Sequence, residues 1–292
     1  MPALSSGTSP ARRVEDLSGR IVLITGATDG LGRGLAAAVA SRGATVLVHG
    51  RDRARADATL TELRGLGARG DSSVYLADHA SLGEVRAAGE RILAERDALH
   101  VLVNNAGIGT NLPGEGERMK SRDGYELRFQ VNYLAGYLLT RTLEPLLLRS
   151  APARVVNVSS AGQMPIDFDD VMLERSYSGT QAYCQSKLAQ VMHAFDLADS
   201  HDPSILAANC LHPATYMPTK MVLAARGSAA STLEEGVDAT FRLVADPELD
   251  GATGRYYNGQ SDDAAHPQAY DPRARRRLRE LSERLIAAAD QR

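Results

Sequence analysis

Six residues, Arg20-Ile-Val-Leu-Ile-Thr25, run directly into Gly26-Ala-Thr-Asp-Gly-Leu-Gly32 and then into an alanine-rich stretch from Arg33 to Ser41. The apolar run has the pattern of a strand buried on both faces, as in a parallel sheet covered by helices. The glycines permit a tight turn where a Cβ would obstruct, and the alanine-rich stretch predicts a helix that begins at that turn. Nothing else in the chain restricts its fold as strongly. A strand, a glycine turn and a helix N-terminus aim backbone N–H groups and a helix dipole at one point, which suits a bound phosphate.

The same unit recurs. Strands are predicted at Thr45–His49, Ser73–Ala77, Leu99–Val103, Arg154–Val158, Ser204–Leu211 and Gly254–Tyr257. Helical periodicity separates them over about 53–66, 81–97, 121–149 and 183–201, and a last helix spans Pro272 to Ala289. Strands alternating with helices at this spacing predict one α/β domain built on a doubly wound parallel sheet of about seven strands. The domain is placed at 19–292, after a loose tail at 1–18. Segments 161–182 and 216–230 are expected to cover the substrate. The arginine run 273–279 is expected to be a solvated helix face.

In an open sheet of this kind, ligands bind beyond the carboxyl ends of the strands. The residues there are Arg51 after the second strand, Asp78-His79 after the third and Asn105-Ala106-Gly107 after the fourth. Ser159-Ser160 follow the fifth and Pro213-Ala214-Thr215 the sixth. Arg51 offers a guanidinium to a 2′-phosphate, whereas Asp52 and Asp29 oppose one; the balance favours NADP(H) over NAD(H).

Tyr183 and Lys187 stand four residues apart in a helical run, so a phenol and an ammonium share one face. A cation beside a phenol favours phenolate and makes proton exchange easier near neutral pH. The chain has only three lysines among its 33 basic residues. A compact ammonium can reach a phenol and a ribose hydroxyl together, where a planar guanidinium would not. A second pair, Tyr216 and Lys220, is interrupted by Pro218, which blocks a helix.

From about Gly19 to Ala289 the chain resembles the short-chain dehydrogenase/reductase family. The likeness rests on Thr25-Gly-Ala-Thr-Asp-Gly-Leu-Gly32, Asn104-Asn-Ala-Gly107, Asn132, Ser160, Tyr183-Cys-Gln-Ser-Lys187 and Pro213. Around Tyr183 it is most similar to the retinol dehydrogenase and carbonyl reductase-like group. The resemblance implies a Rossmann-type fold and a hydride exchange between nicotinamide and a carbonyl or alcohol. It implies Tyr183 as general acid, Ser160 as the donor to the substrate oxygen, and Asn132 as the holder of a water that passes protons toward Lys187. Lys187 would bind the nicotinamide ribose and hold the Tyr183 pKa down.

For the cofactor, the resemblance implies Thr25, Gly26, Gly30 and Gly32 at the pyrophosphate, together with the turn residues Thr28, Asp29 and Leu31. Asp78, Asn105 and Ala106 would flank the adenine, and His79 and Gly107 beside them are also expected at the cofactor. Pro213, Ala214 and Thr215 would hold the carboxamide; Ala214 stands where the family usually has glycine. Two other functions share these features. One is a cofactor-sensing protein without turnover, which would not require Asn, Ser, Tyr and Lys together. The other is an epimerase or dehydratase, against which the spacing of the glycine turn speaks.

Met164, Ile166, Phe168, Met172, Met217, Met221 and Leu223 lie in the covering segments and favour a bulky lipophilic ketone or aldehyde. A formal net charge of −3 gives no reason to expect nucleic acid. Two cysteines supply no disulfide framework, and no apolar run reaches the ~18 residues of a membrane span. A cytoplasmic location is expected, with no metal and no membrane partner. Self-association of the chain is left open.

Overall fold

The structure, a computed structural model, describes residues 16–110, 117–219 and 227–291. Its first half alternates strictly: β1 (Ile21–Ile24), α1 (Gly30–Ala40), β2 (Thr45–Gly50), α2 (Arg53–Gly65), β3 (Ser73–Leu76), α3 (Leu82–Glu95) and β4 (Val101–Asn104). The second half continues with α4 (Ala135–Arg149), β5 (Ala153–Val158), α5 (Gly179–Ser200), β6 (Leu206–His212), α6 (Leu233–Ala245), β7 (Tyr256–Asn258), β8 (Ser261–Asp263) and α7 (Pro272–Ala289).

These strands form one sheet in the order β3-β2-β1-β4-β5-β6-β7-β8, parallel from β3 to β7. Chain direction across the sheet reverses between β1 and β4, and the crevice opens there. The eighth strand was not expected. It is three exposed residues, Ser-Asp-Asp, antiparallel to β7, and carries no apolar alternation for sequence reasoning to detect.

Two cores hold the helices to the sheet. Val22, Ile24, Val46 and Val48 face α1, α2 and α6, while Leu23, Leu47 and Leu102 face α3, α4 and α5. Alternate strand residues point to opposite faces, so the inner strands carry apolar residues on both faces. Each side chain so enclosed contributes about 1.5–3 kcal/mol.

The expected helix over 121–149 divides in two. Residues 121–126 form a turn, in which Gly124 takes a φ of 84° and its N–H donates to the Ser121 carbonyl. Helix begins only after that turn and carries a π-helical segment, Phe129–Leu134, before α4. The wider coil displaces the backbone at Asn132, and such segments are frequent at functional sites.

Helix α7 corrects the expectation of a merely solvated arginine face. Arg275 is buried and bonds the Ala269 carbonyl and Asp199; Arg277 pairs with Asp169 and Arg279 with Asp196. The run staples the C-terminus onto α5 and the 161–178 segment. No helix among the described residues is long and apolar enough to cross a membrane.

Candidate active site

Beyond the carboxyl ends of the strands lies a crevice of about 800 Å³. Of the residues expected in the acid–base set or at the cofactor, all but Thr25 and Asn132 line it. Its floor is the glycine turn. A Cβ on Gly32 would lie 2.3 Å from the Gly26 carbonyl oxygen and 2.5 Å from Asn105 Nδ2, so only glycine fits. Gly26 takes a φ of 66°, and a Cβ there would meet the Ala106 backbone at 3.0 Å. The turn is thereby pressed against the loop after β4, with the N-terminus of α1 facing the crevice.

Thr25 departs from its expected role. It is fully buried, and its hydroxyl accepts the Asn105 and Ala106 N–H groups at 2.9 Å each. It joins the ends of β1 and β4 and does not line the crevice. The Asn105 amide is likewise turned back, donating to the Thr25 carbonyl at 2.8 Å. A polar residue next to a glycine turn serves either the ligand or the turn itself, and spacing does not distinguish the two.

At the β2 end the two opposing carboxylates have other work. Asp52 caps α2, accepting the Arg55 N–H at 2.9 Å. Asp29 caps α1 and forms an ion pair with the Arg55 guanidinium at 2.7 Å. Arg55 was missed by sequence reasoning, although it lies four residues beyond Arg51 on the first turn of α2, where both can face the crevice. His49 and His79 pack ring against ring beneath this lip, their centroids 4.9 Å apart. Burial holds both imidazoles below their ordinary pKa and therefore neutral, and for His49 the neighbouring His79 adds to the effect.

The chemical end of the crevice is built on α5. The two serines after β5 divide their tasks: Ser159 is buried and donates to the Lys187 carbonyl at 2.7 Å, while Ser160 faces the crevice beside Tyr183. Burial raises the pKa of the Tyr183 phenol, and a hydrogen bond with Ser160 pulls it the other way. Lys187 Nζ lies 5.7 Å from the centre of the Tyr183 ring, but its own bonds run to the Val158 carbonyl and Gln190 Oε1. Burial lowers the Lys187 pKa to about 8.

Asn132 sits behind the site. Its Oδ1 accepts the Ile108 N–H at 2.7 Å, and its Nδ2 donates to the Ile108 carbonyl and to Ser186 Oγ. Those bonds seat the 107–108 loop against α5. A Cβ on Gly107 would lie 3.2 Å from Asn132 Oδ1 and 3.6 Å from Lys187 Nζ, so this glycine keeps the passage between them open.

The apolar residues expected to meet a substrate are mostly elsewhere. Ile166 is buried in the core, Phe168 and Met172 pack against it, and Met164 is exposed; none of these four lines the crevice. Met217 lines it but is largely covered, its sulfur lying 2.1 Å from where a Cβ on Gly236 would stand. Met221, Leu223 and Lys220 lie outside the described residues. The 161–178 segment is stapled from the C-terminal side. Gln268 donates to the Ile166 carbonyl and accepts its N–H, and the His266 N–H donates to Gln163.

The sequence model of the short chain dehydrogenase family matches residues 20–228, most of the chain. The chain belongs to the short-chain dehydrogenase family. Human retinol dehydrogenase 14 is 35% identical over 297 residues, covering 92% of this chain and 87% of that protein. The zebrafish WW domain-containing oxidoreductase is 31% identical, covering 93% and 69%. Among solved structures, a protein of Mycobacterium paratuberculosis superposes with a TM-score of 0.76 at 28% identity, covering 94% of this chain and 95% of that one. A short chain dehydrogenase of Escherichia coli, solved with NADPH, superposes with a TM-score of 0.69 at 26% identity, covering 85% and 100%. In this short-chain dehydrogenase fold the crevice is bounded by the glycine turn at one end and α5 at the other.

Proposed function

We propose that this chain is an NADP(H)-dependent oxidoreductase that interconverts a lipophilic ketone or aldehyde with its alcohol. The observation that carries the reading is the convergence of Ser160, Tyr183 and Lys187 on one crevice whose other end is a glycine cradle. The cradle fits a nicotinamide dinucleotide: Gly26, Gly30 and Gly32 leave their backbone bare at a helix N-terminus, which suits a pyrophosphate. Arg51 would take a 2′-phosphate, with Arg55 neutralising Asp29 beside it. The bound cofactor supplies or accepts a hydride. The E. coli relative solved with NADPH supports this choice.

The chain's own residues provide the rest. Ser160 donates a hydrogen bond to the substrate oxygen as negative charge develops there. Tyr183 gives that oxygen its proton during reduction and takes it back during oxidation. Lys187 holds positive charge behind the phenol and presents it to the ribose. Asn132 keeps the 107–108 loop in register with α5. The preference for a lipophilic substrate rests on similarity to proteins named for retinol, and on Ile108, Ala161 and Cys184 along the same crevice. A panel of lipophilic ketones, aldehydes and alcohols with NADPH or NADP tests the proposal. Cofactor-dependent turnover of at least one supports it; binding of NADPH with no turnover across the panel would instead favour a cofactor sensor.

A further inference from the structure

A lysine ammonium carries three N–H donors and no acceptor. In this chain, two bonds of Lys187 lead away from the crevice, to the Val158 carbonyl at 3.1 Å and to Gln190 Oε1 at 2.9 Å. Gly107 lies close to the same nitrogen and lines the crevice. Gln190 is three residues beyond Lys187 and seven beyond Tyr183, so all three occupy one stripe of α5. It is buried, and its own backbone is fixed: the Gln190 carbonyl accepts Asn157 Nδ2 at 2.9 Å, and Asn157 Oδ1 accepts Asn104 Nδ2. The stretch of α5 that carries this side chain is therefore tied by a hydrogen-bonded chain to β5 and β4, and its amide oxygen accepts from Lys187.

We infer that Gln190 is a positioning residue for the proton-transfer pair: its amide oxygen holds the Lys187 ammonium from behind and leaves one N–H for the crevice. Its catalytic consequence rests on the oxidoreductase reading; its geometry does not. The titratable groups around the ammonium supply no counter-charge near neutral pH. Cys210 on β6 is a thiol pushed up to about 12 by burial, His212 on β6 is held down by burial and by Lys187, and the Tyr183 phenol is raised by burial. With only such neighbours, a neutral acceptor at 190 matters to whether the buried amine stays protonated.

The test uses the full chain, labelled on lysine side chains for NMR titration. With three lysines, Lys120, Lys187 and Lys220, the Lys187 resonance is separable from the other two. Gln190→Leu removes the acceptor and should move the Lys187 midpoint down from about 8. Gln190→Glu places an anion at the same point and should move it up, by roughly one pH unit in each case. The alkaline limb of NADPH affinity, followed by cofactor fluorescence, should shift in the same two directions. Gln190→Glu is isosteric and carries the test alone if Gln190→Leu does not fold. A Glu variant whose Lys187 midpoint is unchanged or lowered would overturn the inference. If the midpoints move as expected but no carbonyl is turned over, Gln190 keeps its role and the oxidoreductase reading is what fails.

Discussion

Lys187 Nζ lies 5.7 Å from the centre of the Tyr183 ring, one helical turn away, while burial raises the phenol's pKa and Ser160 beside it pulls the other way. The three groups therefore do not act as one chain of hydrogen bonds. In the proposed reaction Ser160 and Tyr183 would share the end where a substrate oxygen binds, and Lys187 would supply charge from behind. Tasks separated in this way should separate under mutation.

Tyr183→Phe removes one hydroxyl and almost no volume. If Tyr183 transfers the proton, kcat should fall by the ~10²–10⁴ typical of a missing general acid. NADPH affinity should barely change, because the glycine turn and Lys187 remain. Lys187→Ala should lower both turnover and cofactor affinity. Steady-state kinetics with a parallel binding titration checks both variants, and near-normal kcat in Tyr183→Phe would remove the phenol from the mechanism.

The β2 end sets the second expectation. NADPH should bind at least ~10-fold more tightly than NADH, about 1.4 kcal/mol, the scale of one charge-assisted contact. Arg51→Asp should reverse that preference. Arg55→Ala should weaken NADPH more than NADH, because it removes a guanidinium that lines the crevice and pairs with Asp29. Equal affinities for the two cofactors in the unmodified protein would count against the 2′-phosphate assignment.

The parts legible in the sequence were those written in a repeating pattern. Apolar runs such as Ile21–Ile24 and Val155–Val158 gave the inner strands, and the start and end of α7 fell where Pro272 and Ala289 suggested. Strand ends, the glycine turn and the Tyr183/Lys187 pair together accounted for about half of the crevice lining. What escaped was set by side-chain direction and local geometry. Thr25 and Asn105 have the residue types of ligand contacts but use their polar atoms on each other. The π-helical segment around Asn132 has no signature in apolar spacing. Ile166 looked like a substrate contact because its segment lies near the crevice, yet Gln268 holds that backbone and the core takes its side chain. Gln190 was within reach, since 183, 187 and 190 follow helical spacing.

Residues 215–216 and 230–231 are bonded to each other. The Ala230 N–H donates to the Tyr216 carbonyl at 3.0 Å, and Ser231 Oγ donates to the Thr215 carbonyl at 2.7 Å. Thr219 reaches over the glycine turn, its Cγ2 3.2 Å from where a Cβ on Gly30 would lie. Segment 161–178, by contrast, is pinned by Gln268 and Arg277. Hydrogen exchange should therefore fall at 216–219 and 227–230 when NADPH and substrate are added, with little change across 161–178. Full protection of those residues in the free protein would argue against their closing on the ligand.

His193 gives a prediction about stability alone. It is buried on α5 between the rings of Tyr133 and Tyr137, 5.0 Å from the latter's centroid, and its Nδ1 lies 3.4 Å from Asn157 Nδ2. Its Nε2 is buried without a partner, and burial lowers its pKa to about 4. The folded chain therefore keeps this imidazole neutral, while the unfolded chain takes up a proton near pH ~6.5. Between those values unfolding binds a proton, so the contribution is complete above about 6.5 and is lost as the pH falls toward about 4. At pH ~4.5 the loss from this one group would be about 2–3 kcal/mol. His193→Leu fills the site without a titrating group, and Asn157 Nδ2 still donates to the Gln190 carbonyl. Denaturant unfolding at pH ~7 and ~4.5 should show a smaller difference in His193→Leu than in the unmodified protein. An equal acid sensitivity in both would mean that this imidazole is not among the groups that set it.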